Sequence, residues 1–144
     1  MKARIVFGVI IMMFVLVQAA HAVEKNTIQK YFNNTACKVK ATDDPAQKRE
    51  ILNKSLQTMS KALARIEKSG MISQDDRAGI DNFKAALQEK QDELMGNNGH
   101  ERVADAQLNA FADYIVQDME QAARKVTFSL ITLLLIVIIL ILIL

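Results

Sequence analysis

The chain has 144 residues, 51% of them hydrophobic, with 18 basic and 16 acidic side chains and one cysteine. That length holds one domain at most, a lone cysteine excludes a disulfide-stapled scaffold, and a net charge of +2 leaves no footprint for nucleic acid. The charge is concentrated in the middle of the chain, between two apolar ends.

Residues 1–22 read as a secretory signal peptide. Lys2 and Arg4 precede an apolar core from Ile5 to Val17, and Ala20-His21-Ala22 supplies a small-x-small cleavage site. Cleavage there leaves 16 basic and 16 acidic residues, a neutral mature chain beginning at Val23.

Residues 23–44 read as an N-terminal segment with a short helix through Ile28, Tyr31 and Phe32, followed by a loop from Thr35 to Asp43. A helical bundle is expected over 45–125. Asp44 is placed to cap a helix at its N-terminus, with Pro45 at its first position and Gln47 able to complete a capping box. Leu52, Leu56, Met59, Leu63 and Ile66 step by 4, 3, 4 and 3, the spacing of an a/d seam. Gly70 ends that helix, with Met71 expected to touch Ile66. Ser73 caps the next helix, whose seam runs through Ile80, Phe83, Leu87 and Leu94 and is interrupted at Lys90. Gly96-Asn97-Asn98-Gly99 forms a turn. A third helix is expected from residue 100, through Ala104, Leu108, Phe111, Ile115, Met119, Ala122 and Val126. The short turns predict antiparallel neighbours.

Residues 126–144 carry no charge, glycine or proline. Nineteen helical residues span about 28 Å, close to the ~30 Å hydrocarbon layer. They read as a transmembrane helix continuous with the third bundle helix. The expected fold is therefore all-α: a small antiparallel three-helix bundle, or helical hairpin, running into a C-terminal membrane span. The expected location is a single-pass membrane protein with residues 23–125 exported, to the periplasm or the cell exterior. Arg124 and Lys125 on the exported side run against the usual cytoplasmic excess of basic residues.

Chemistry-bearing motifs are sparse. Cys37, unpaired in an oxidising compartment, is a candidate for an intermolecular disulfide. His100 is the only histidine after signal removal, and a thiol–imidazole pair with Cys37 is the thiol-enzyme alternative. One histidine and one cysteine fall short of a zinc site. Asp75, Asp76 and Asp81 lack the spacing of a calcium loop and suit a helix N-terminus instead. Asn33-Asn34-Thr35 and Asn53-Lys54-Ser55 match the glycosylation sequon. No phosphate loop, dinucleotide fingerprint or hydrolase elbow is present. The expectation is a non-enzymatic structural or interaction protein that needs no cofactor. Its expected partners are membrane lipid and a protein, which includes a second copy of itself, with no nucleic acid. The alternative is a membrane-active or assembly protein acting through an oligomerised C-terminal span.

Overall fold

The computed structural model describes residues 23–125 and 130–143. The signal-peptide assignment for 1–22 and the junction 126–129 lie outside the described residues. Five α-helices are described: α1 Val23–Lys40, α2 Pro45–Ser69, α3 Gln74–Met95, α4 Leu108–Arg124 and α5 Leu130–Ile143. A 3-10 turn, Asp105–Gln107, precedes α4, and the described residues include no strand.

The helix α1 is longer than the sequence pattern suggests. Where a loop was expected from Thr35, the helix continues to Lys40. Ala36 and Val39 extend the buried stripe begun by Ile28 and Phe32. Thr35 finds a partner across the helix pair, its Oγ1 lying 2.7 Å from the hydroxyl of Ser55. Tertiary burial thus overrides a weak local preference in a segment rich in Asn and Thr. Residues 23–44 are part of the bundle, with α1 packed against both α2 and α4.

The α2 boundaries follow local chemistry. Asp44 accepts a hydrogen bond from the Ala46 N–H, Pro45 occupies the first turn, and Gly70 closes the helix in the left-handed conformation at φ 70°. All five seam residues, Leu52 to Ile66, are at most 1% exposed. Each such side chain contributes roughly 1.5–3 kcal/mol by burial. The expected Ile66–Met71 contact is replaced: Ile66 enters the core while Met71 stays 61% exposed.

The Ser73 hydroxyl caps α3 by accepting the Asp76 N–H, and Gly96 ends that helix at φ 74°. Cross-links from Lys84 to Glu67 and from Gln91 to Asn53 show α2 and α3 antiparallel. Lys90 meets Tyr114 while Asn82 and Phe83 share a groove with Ala122 and Lys125, which shows the same for α3 and α4.

The third bundle helix starts later than residue 100. Residues 101–104 are irregular, and α4 begins at Leu108. The cause is Arg49, a buried residue of α2. Its guanidinium donates to the carbonyls of Leu94 and Val103, both at 2.6 Å, and to the Asp105 carboxylate at 2.9 Å. A helix running from residue 100 would direct the Val103 carbonyl along its own axis, away from that cation.

The largest correction concerns the tail. Among the described residues no helix is long and apolar enough to cross a membrane. The 14 residues of α5 span about 21 Å. They do not prolong α4 outward. Thr132, Ile136 and Leu140 are buried at 0%, 1% and 5% exposure. Leu140 on a straight continuation would lie about 24 Å beyond Arg124, out of reach of the bundle. Instead α5 folds back against α2 and touches α1. Covering the bundle removes apolar surface from water by the same hydrophobic drive that a bilayer would satisfy. The transmembrane helix, the three-helix count and the single-pass location are therefore replaced by five helices packed together.

Candidate functional site

An amphipathic helix that covers a bundle needs one apolar stripe. All residues of α5 except Thr132 are aliphatic, so it is apolar on every face. Among its described side chains, Thr132, Ile136 and Leu140 are buried. Leu142 is 75% exposed and Ile141 38%, while Leu135, Val137, Ile138 and Ile139 are partly covered. The exposed part of α5, at Ile141 and Leu142, is thus apolar and without a charged group. The basic side chains of Arg124 and Lys125 stand exposed at its approach.

A buried polar contact seats the helix. Thr132 Oγ1 donates to Asp76 Oδ2 at 2.7 Å, with both residues buried. Asp76 also belongs to the capped first turn of α3. The tail is therefore tied to the end of the bundle where α3 begins.

Lys90 forms a second polar centre. It occupies the seam position between Leu87 and Leu94 and is 1% exposed. Its ammonium lies 2.6 Å from Asp118, 2.8 Å from Glu93 and 2.8 Å from the Tyr114 hydroxyl. It also stands 4.1 Å above the Tyr114 ring centre. Burial works against the charge, but Asp118, Glu93 and Tyr114 outweigh it and hold the ammonium above its ordinary range. A lysine so held stays protonated, bridging α3 to α4, and has no lone pair for nucleophilic or base chemistry.

Asp92 organises the 96–99 turn. Its carboxylate accepts from Asn98 at 2.9 Å and from Gln88 at 3.0 Å, while its backbone carbonyl accepts the N–H groups of Gly96 and Asn97. The Asn98 and Gln88 donors pull its titration below the ordinary carboxylate value, aided by nearby His100.

The residues marked by the sequence fall apart in space. Cys37 is an exposed free thiol on α1, not a loop residue. His100 lies in the turn after α3, its N–H donating to the Asn97 carbonyl. No hydrogen bond joins it to Cys37 among the described residues. Asp76 turns inward to Thr132, whereas Asp75 and Asp81 are exposed. No group of three or more potential metal ligands occurs among the described residues. The two sequons sit on helices, and their hydroxyls, Thr35 and Ser55, bond one another inside the α1–α2 interface.

Sequence reasoning missed Arg49, Lys90 and the Asp76–Thr132 pair. Lys90 carried a signal, since it continues the 3 and 4 spacing of its seam. Thr132 carried a weaker one, as a hydroxyl within an aliphatic run. Arg49 carried none, because its partners lie about fifty residues away along the chain.

No family model matches the chain, nor does any curated protein or solved structure.

Proposed function

We propose that this protein is a non-enzymatic assembly protein that associates with a second copy of itself through the outer face of α5. The observation that carries this reading is a helix without a charged residue that leaves Ile141 and Leu142 exposed. Monomeric proteins rarely leave large contiguous apolar patches in water. The partner surface must itself be apolar, since the face offers no charge and its one hydroxyl, Thr132, is turned inward. A second α5 related by a two-fold axis supplies such a surface. The buried Lys90 and Arg49 networks support a rigid scaffold role, since each ties helices together.

Sedimentation of the full chain over a wide range of concentration tests the reading. The expected result is reversible association, weakened about tenfold or more in the double variant Ile141→Lys, Leu142→Lys. Both positions are exposed, so the variant should retain the helical circular dichroism of the parent. A monomer at every concentration overturns the reading. So does a monomer that instead binds lipid vesicles through the same two residues. Separately from the α5 contact, the exposed Cys37 thiol should allow a covalent dimer on oxidation, seen on non-reducing electrophoresis and lost in Cys37→Ser.

A further inference from the structure

The groove between α1 and α2 is lined by two lysines and no carboxylate. It encloses about 310 Å³, near the lower end of ligand pockets, which run to roughly 300–1,000 Å³. Its floor is apolar, built by the Tyr31 ring and the Ile51 side chain, which both pack against the core. Lys38 from α1 and Lys54 from α2 line it with Asn34, and no carboxylate does.

Five cations of the described residues are paired with carboxylates. Lys40 pairs with Asp113, Arg49 with Asp105, Lys84 with Glu67, Lys90 with Asp118 and Glu93, and Arg124 with Glu120. Lys38 and Lys54 belong to none of the ion pairs among the described residues. Glu50, one helical turn before Lys54, does not reach it. The similarly sized groove between α3 and α4 differs, since Glu89 and Asp118 line it beside Lys125.

The Tyr31, Thr35 and Ser55 hydroxyls of the α1–α2 groove are already committed. Thr35 donates to the Tyr31 carbonyl at 3.1 Å, so the proton in its 2.7 Å contact with Ser55 comes from Ser55. Tyr31 donates its own proton to the Ser55 carbonyl at 2.7 Å. The polar wall is thus satisfied internally and tolerates an apolar body against it. The two ammonium groups remain available to a ligand.

We propose that this groove binds a small amphipathic anion. A carboxylate or phosphate head lies between Lys38 and Lys54, and a short alkyl or aryl body covers Tyr31 and Ile51. The site is independent of the α5 face.

Octanoate is a suitable probe, with the full chain, equilibrium dialysis and lysine-acetylation footprinting. The expected result is saturable binding that protects Lys38 and Lys54 but not the exposed Lys61 and Lys68. Inorganic phosphate, which lacks the body, and octanol, which lacks the charge, should each bind about tenfold more weakly or worse. The double variant Lys38→Gln, Lys54→Gln should lower octanoate affinity about tenfold, leave octanol binding unchanged, and fold normally. Octanoate affinity unchanged in the variant overturns the proposal. So does protection of the two lysines by anionic phospholipid vesicles but not by free octanoate, which would assign the groove to a lipid surface.

Discussion

Thr132 and Asp76 are 56 positions apart in sequence, yet the Thr132 hydroxyl donates to the Asp76 carboxyl at 2.7 Å in a buried contact. The only hydroxyl on an otherwise aliphatic helix is spent on the first turn of α3. Dispersion and hydrophobic burial are indifferent to small rotations of α5. A hydrogen bond is directional, so this pair sets which face of the helix is inward.

Thr132→Val keeps the shape and removes the donor. It should lower stability by about 1–3 kcal/mol, as expected for loss of a buried hydrogen bond. Hydrogen exchange should show the loss chiefly in residues 130–143, with the α2 and α3 seams still opening only globally. Unchanged protection of α5 would show that the pair does not hold the helix.

The Lys90 cluster predicts a difference between two substitutions. Lys90→Met fills the same seam position, and Asp118 and Glu93, at 35% and 21% exposure, can hydrate. The cost should be about 1–3 kcal/mol, whereas Lys90→Ala adds a cavity and should cost about 3–5 kcal/mol. Because the folded protein raises the titration of Lys90, its contribution is complete at neutral pH and fades only as alkali deprotonates it in the folded state. Urea titrations of both variants and the parent between pH 7 and about 10 should therefore run parallel.

Two glycines that end helices should respond unequally to alanine. Both are left-handed, Gly70 at φ 70° and Gly96 at φ 74°. A Cβ on Gly70 meets nothing within 4 Å, so Gly70→Ala should cost only the backbone strain, about 1–2 kcal/mol. At Gly96 the added carbon would lie 2.8 Å from Arg102 Cβ, and the neighbouring backbone is also close. Gly96→Ala should cost more, about 2–4 kcal/mol, by the same strain plus a forced shift of residue 102. Equal thermal midpoints for the two variants would remove the steric argument.

Acid should weaken the turn at 96–99 through Asp92. Its titration is lowered by folding, so its stabilisation is present above the ordinary carboxylate value and lost as pH falls from about 4 through the folded-state value. Asp92→Asn should therefore flatten the acid limb of the stability profile and leave its alkaline limb unchanged. Comparing urea midpoints of the parent and variant across that limb checks the sign.

Much of the bundle follows from residues close together in the chain. Asp44-Pro45, Gly70, Ser73 and Gly96 place helix ends within a residue or two, because caps act over a single turn. The a/d spacing identifies the buried stripes of α2 and α3, and that of α4 from Leu108 to Met119 though not at exposed Ala104, because a one-sided apolar pattern leaves a helix one way to face its neighbours. The thiol and the histidine were visible too, but nothing in the spacing of positions 37 and 100 determined whether they meet.

The tertiary structure decided what one-dimensional patterns leave open. Residues 130–143 are apolar all round, so they have no stripe to specify a neighbour, and a bilayer and a bundle satisfy them equally well on composition. Packing against α2 and the bond from Thr132 to Asp76 resolve that choice. Arg49 resolves another, ending the irregular stretch at 101–104 by claiming carbonyls from two distant segments. Lys90 reads in the sequence as a break in a seam, and in the fold as part of it, because Asp118 and Tyr114 arrive from α4. Local sequence determines helices and caps because their energies depend on the nearest few residues. The docking of α5 and the neutralisation of buried cations depend on groups brought together only after those helices pack.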